Sequence, residues 1–254
     1  MDTALQPSLP GPSVLGWHGK LPSSGDFTGR GLAYGIVSAL DTWLQSGLVQ
    51  LRHRHPDWQY FFSHSPTWSF LLPGGMLCPQ PLVGCLMPSH DKVGRAYPLV
   101  VLRSLWPGRS LQEELPPQGC WHRQAIEVML DARHEAFSAE QFDTEYRRVA
   151  ASLPQPLPSS PATPAAAPVD VLQMFDMAAS RSAPGSEGRQ VPFDPSRGFW
   201  GGSLEGWPGR QLTSYWWTLS GGSAAQRVVH SGPLTTQLLI DLLTRTRDES
   251  PFAA

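Results

Sequence analysis

The chain's 254 residues carry 19 Lys and Arg against 21 Asp and Glu, a net charge of −2 that supplies no field to gather nucleic acid or anionic lipid. A hydrophobic share of 41% is enough for a packed core, and 26 Pro with 24 Gly predict many turns while staying below the roughly 25–30% of low-complexity sequence. Cys78, Cys85 and Cys120 are odd in number and irregular in spacing, so neither a disulfide framework nor a zinc site is expected, and the thiols read as buried in a reducing compartment.

The opening MDTALQPSLPGPSVLG has no basic start followed by an apolar run, and no segment of about 18 apolar residues follows anywhere. Neither export nor membrane insertion is expected, and a soluble, cytoplasmic protein is. Val14 to Gly19 reads as a first strand that runs into GKLPSSGDF, where Pro22, Gly25 and Asp26 favour turns and put this motif on a loop. From Leu32 to Leu51, the apolar Leu32, Ile36, Leu40, Trp43, Leu44, Leu48 and Leu51 recur at three- and four-residue steps and predict a helix. Tyr60 to Phe62, Trp68 to Leu72, Leu82 to Met87 and Tyr97 to Leu105 are short apolar runs, most of them ended by Pro or Gly, and read as strands of a mostly buried sheet.

Helical patterning returns at Arg123 to Arg133 and at Ser138 to Leu153, where Ser138 with Gln141 three residues on resembles a capping box. Residues 154–168, PQPLPSSPATPAAAP, hold six prolines and no charge or aromatic ring, and predict a flexible or polyproline-like insertion. A short helix near Asp170 to Ala179 and a second loose stretch at about 181–197 come next. Phe199-Trp200-Gly201-Gly202 and Ser214 to Thr218 read as strands, Arg227 to His230 pairs back through Gly221-Gly222, and Pro233 opens a closing helix with Leu234, Leu238 and Leu242 in its stripe. In Tyr215-Trp216-Trp217 the side chains alternate across a strand, which suggests that at least one aromatic is exposed.

These elements give an α+β (mixed α/β) class: a largely antiparallel or mixed central sheet of about seven strands with four to five packed helices. Residues 1–254 read as one domain with an insertion, because the strands after Phe199 are too few for a second core.

Ser89-His90-Asp91 contains the residue types of a hydrolytic triad, but consecutive residues cannot orient on one another and no GxSxG elbow surrounds the serine. His53, His55 and Asp57 lack further ligands at metal-binding spacing, and HExxH is absent, so a solvated basic helix end is the expectation there and no metal is. Gly19-Lys20 and Lys92-Val93-Gly94-Arg95 combine glycine with a cation, yet neither nucleotide-binding glycine pattern occurs, and no cofactor is expected. Arg95 either pairs with an acid such as Asp91 or Asp26 or recognises a partner.

GWHGKLPSSGDFTGRGL, Asp41-Thr42-Trp43-Leu44, Trp68 to Gly74, Gly84 to Arg95 and Pro98-Leu99 resemble, in order, the TagF (ImpM) family of the bacterial type VI secretion system, and the late Trp216-Trp217 before a leucine-rich helix is similar to its C-terminal end. Ser24, His90 and Ala96-Tyr97 depart from the usual pattern, and the Pro-rich insertion is peculiar to this chain.

The resemblance implies a non-enzymatic, cytoplasmic, post-translational regulator, a repressor, that binds and sequesters the Fha scaffold or a neighbouring apparatus component. It implies partner-binding roles for Lys20, Asp26, Arg30, Asp91, Lys92 and Arg95. Gly19, Pro22, Gly25, Phe27, Trp43, Pro73, Gly74, Met87, Pro88, Ser89, Gly94, Pro98, Trp216 and Trp217 carry over as motif residues of structural kind. Two other readings stay open: a hydrolase using Ser89, His90 and Asp91, and a purely structural component.

Overall fold

The computed structural model describes residues 13–105, 111–152, 212–219 and 226–245, with the backbone alone over 111–120. The insertion at 154–168, the helix near Asp170, the stretch at 181–197, the strand at Phe199 and the Gly221-Gly222 connection lie outside the described residues.

Seven strands form one antiparallel sheet: β1 (Leu15–Gly19), β2 (Thr28–Arg30), β3 (Trp68–Leu72), β4 (Leu82–Met87), β5 (Leu99–Ser104), β6 (Thr213–Thr218) and β7 (Arg227–Ser231), in the order β2-β1-β5-β4-β3-β6-β7. Five helices are described: α1 (Tyr34–Arg54), α2 (Trp58–His64), α3 (Leu111–His134), α4 (Ala139–Ala151) and α5 (Thr236–Thr244). β3, β4 and β5 are buried at every position, because helices cover both faces of the sheet and leave no solvated side for polar residues. One apolar layer joins α1, α2 and α5 to Trp68, Phe70, Leu86, Val100 and Trp216; the other joins α3 and α4 to Trp17, Val83, Cys85, Val101 and Trp217.

Trp216 and Trp217 point to opposite faces, as alternation requires, but both are buried, at 2% and 4% exposure. The expectation of an exposed anchor among these rings is corrected by the second helical layer, with only Tyr215 left half-buried. Trp216 packs against Phe70 and Trp43 at ring centroids of 5.0 and 5.7 Å.

The strand expected at Tyr60 to Phe62 is helix α2. Three aromatic residues fit either period, and packing decided: Phe62 is buried, Tyr60 is exposed, and both edges of β3 are taken by β4 and β6. β2 was not visible in the sequence because three residues cannot show an alternation. α3 begins well before Arg123, and Pro116-Pro117 within its first turns masks that start. α5 starts after Thr235, whose hydroxyl accepts the Leu238 amide, instead of at Pro233. α4 has the capping box read from Ser138 and Gln141, with both reciprocal bonds present.

Candidate functional site

β1 and the turn after β4 meet at the end of the sheet. Gly19 makes this approach possible: its φ is +145°, and a Cβ there would lie 2.2 Å from the Pro98 carbonyl oxygen. The next residue, Lys20, is carried inward with 6% of its surface exposed. Its Nζ donates to Asp91 Oδ2 at 2.9 Å and to the Arg95 carbonyl at 3.4 Å, and lies 5.0 Å from the centre of the Phe27 ring.

Asp91 is the centre of the cluster and is fully buried. Its Oδ2 also accepts from Arg95 Nε at 2.6 Å, while Oδ1 accepts the amides of Val93 and Arg95 at 3.1 and 2.9 Å. Gly94, at φ +83°, closes the turn by donating its amide to the Asp91 carbonyl. Loss of solvent favours the neutral acid, but the hydrogen bonds from Lys20 and Arg95 and the Lys20 charge outweigh it and hold the Asp91 carboxyl well below the usual range.

The same contacts tie the two signature loops together. Lys92 donates its amide to the Ser24 carbonyl at 2.8 Å, Arg95 Nη2 donates to the Gly25 carbonyl at 2.6 Å, and the Ser89 hydroxyl donates to the Lys20 carbonyl at 2.8 Å. Asp26 is exposed, and its carboxylate accepts the amide of Phe27, so of the two acids open to Arg95 in the sequence the fold selects Asp91. Arg30 is exposed on β2 opposite Trp17 and forms no bond with this cluster. Its charge acts instead on Asp143, whose carboxyl is raised by burial but lowered further by Arg147, Trp17 and Arg30.

A second group, not anticipated as a unit, adjoins the first. His18 Nε2 lies 2.9 Å from Asp41 Oδ1, and the Tyr97 hydroxyl donates to that same oxygen. Burial, then the Asp41 hydrogen bond and charge, push the Tyr97 phenol well above its ordinary value, so it remains a donor. Phe27 stacks on His18 and meets Tyr97 edge-on at 4.7 Å. His18 and Asp41 each stand in a family motif while Tyr97 lies between two of them, and nothing in their spacing of 23 and 56 residues pairs them.

Among the other motif residues, Trp43 is buried and its Nε1 donates to the Thr235 carbonyl at 2.8 Å, joining α1 to the approach of α5. Pro22 and Gly25 lie in the first loop, Pro73 and Gly74 leave β3, and Met87, Pro88 and Ser89 carry β4 into the turn.

The chemistry open to this arrangement is narrow. Ser89 is buried and its hydroxyl donates a hydrogen bond to the Lys20 carbonyl, His90 Nδ1 faces the Asp91 carbonyl, and the carboxylate oxygens of Asp91 are engaged by Lys20 and its own turn. No nucleophile, base and orienter stand in line there. Burial raises the Cys85 thiol far above its ordinary value and raises Cys78 as well, which is opposite to thiolate activation. The described residues contain no group of three or more His, Cys, Asp or Glu able to hold a metal ion.

The family model for the TagF N-terminal domain, type VI secretion system-associated, matches residues 16–149, more than half of the chain and the whole span from β1 nearly to the end of α4. The chain belongs to the TagF family. It is therefore a protein associated with the type VI secretion system. The chain is also similar in fold to the crystal structure of PA0076 from Pseudomonas aeruginosa PAO1, with a TM-score of 0.63, 24% identity, and coverage of 94% of this chain and 98% of that one. No curated protein matches it in sequence. In this TagF chain the two family loops are thus one structure, with Lys20, Asp91 and Arg95 as its shared fastening. No described helix is long and apolar enough to cross a membrane.

Proposed function

We propose that this TagF-family chain is a cytoplasmic, non-enzymatic repressor of type VI secretion that acts after translation by binding and sequestering the Fha scaffold. The observation that carries this reading is the state of the Ser89-His90-Asp91 run: Ser89 and Asp91 are buried and committed to holding the signature loops, while Asp26, Phe27, Lys92 and Val93 are left exposed on them. Lys20 and Asp91 fix the platform, and Asp26, Lys92 and the exposed head of Arg95 meet the partner. Arg30, on the β2 edge, extends that surface. The sheet strands on either side of residues 153–211 share one ladder, which supports reading the chain as one domain.

Co-purification of Fha with the full chain tests this. Capture is expected for the native chain and for Ser89→Ala if the latter still folds, and is expected to fall with Lys92→Glu at unchanged melting temperature. Absence of any Fha capture, or loss of repression with Ser89→Ala in a protein that melts normally, would overturn it.

A further inference from the structure

The junction of the signature loops carries more positive charge than it neutralises. Two carboxylates, the buried Asp91 and the exposed Asp26, stand among three cations, Lys20, Arg95 and Lys92, and the Lys92 side chain makes no ion pair among the described residues. Of the chain's 19 Lys and Arg residues only Lys20 and Lys92 are lysines, so both stand here.

Arg95 is built to receive an anion. Its guanidinium is anchored through Nε to Asp91 and through Nη2 to the Gly25 carbonyl, yet its side chain is 61% exposed. Five N–H donors on a fixed fork leave some free of these two anchors, and a docking anion would not have to freeze the side chain first. Beside it stand two apolar residues in water, Phe27 at 42% and Val93 at 70% exposure.

The backbone narrows the choice of anion. The amides of Lys92, Val93, Gly94 and Arg95 are spent on the Ser24 carbonyl, Asp91 Oδ1, the Asp91 carbonyl and Asp91 Oδ1 again. The turn therefore offers no nest of free N–H groups for a phosphate. Without that nest a phosphate loses its backbone donors, whereas a planar carboxylate needs only the guanidinium fork and the lysine alongside.

We propose that this junction docks an acidic protein segment, with carboxylates on Arg95 and Lys92 and an apolar side chain of the same segment against Phe27 and Val93. The inference rests on the reading of these loops as the partner-binding face and names the chemistry of what they bind.

Fluorescence anisotropy with the full chain at low salt tests it, using a labelled short peptide of Glu and Asp around a central Phe. Controls are its Gln and Asn counterpart, a phosphothreonine peptide with no other charge, and phosphatidylglycerol vesicles. The acidic peptide is expected to bind, to weaken as salt is added, and to lose roughly tenfold or more with Lys92→Glu, with a smaller loss for Val93→Ser. Both positions are exposed, so unchanged melting temperatures separate lost binding from lost fold. Equal affinity for Lys92→Glu, or binding of the phosphopeptide or the vesicles but not of the acidic peptide, overturns the proposal. If Lys92→Glu abolishes Fha capture while the acidic peptide never binds, this inference alone fails. If the peptide binds as expected but Fha is not captured, the Fha reading alone fails.

Discussion

The loop junction and the C-terminal β6–β7–α5 unit both join residues distant in sequence, and they do so by opposite physics. The junction uses a few directional contacts around a buried charge: Lys20, Asp91 and Arg95 meet over separations of 71 and 4 residues. The C-terminal unit spreads its attachment over apolar area, with Trp216 against Phe70 and Trp43, and Leu238, Leu239, Leu242 and Leu243 buried beside α1. A distributed contact loses stability in proportion to the volume removed, whereas a charge-centred one fails when a single partner is mismatched and depends on pH.

The largest expected loss lies in the apolar unit. Trp216→Ala should cost about 3–5 kcal/mol in chemical denaturation, as for other buried aromatic truncations. A loss below about 1 kcal/mol would mean that the C-terminal strands are accessory to the core.

Asp91→Asn keeps the shape of the junction and removes its charge, leaving the Lys20 ammonium buried without a counter-ion, and should lower the melting temperature clearly. The pH dependence gives a sharper test. Because the folded carboxyl titrates below its unfolded value, its contribution is complete above about pH 4 and fades as pH falls toward the folded value. Stability of the native chain should therefore drop on acidification, and Asp91→Asn should flatten that acid limb. An unchanged limb would show that other carboxylates, Asp143 among them, carry it.

Tyr97→Phe removes one of the two hydrogen bonds to Asp41 but leaves His18 in place, so a loss of about 1 kcal/mol in denaturant unfolding is expected. A loss several times larger would mean that the Phe27 platform collapses with it. The smallest effect belongs to Lys92→Ala, within about 0.5 kcal/mol by the same measurement, because only its backbone amide is engaged. A larger cost would make Lys92 part of the fastening and weaken its assignment to a partner.

The elements legible in advance were those whose pattern is local. Trp68 to Leu72, broken only by Ser69, and Leu82 to Met87 are short apolar runs ended by Pro, and the Ser138 and Gln141 cap satisfies itself within three residues. α2 is not legible from its own residues, because Tyr60-Phe61-Phe62 suits a strand as well as a helix until its neighbours are known. β2 exists because β1 offers it an edge, and no property of Thr28-Gly29-Arg30 announces that.

By itself the sequence determined the family, the α+β class, the sheet-forming runs and the residues of the two loops, since each is a matter of residue type in local order. Only the tertiary structure decided what the loop residues do. It buried Lys20 and Asp91 together, chose Asp91 over Asp26 for Arg95, and turned both Trp216 and Trp217 into core. Those outcomes depend on which surfaces are excluded from water and on contacts between residues far apart in the chain. Such contacts form when β1 pairs with β5 and brings Gly19 against Pro98, an approach written in no single segment.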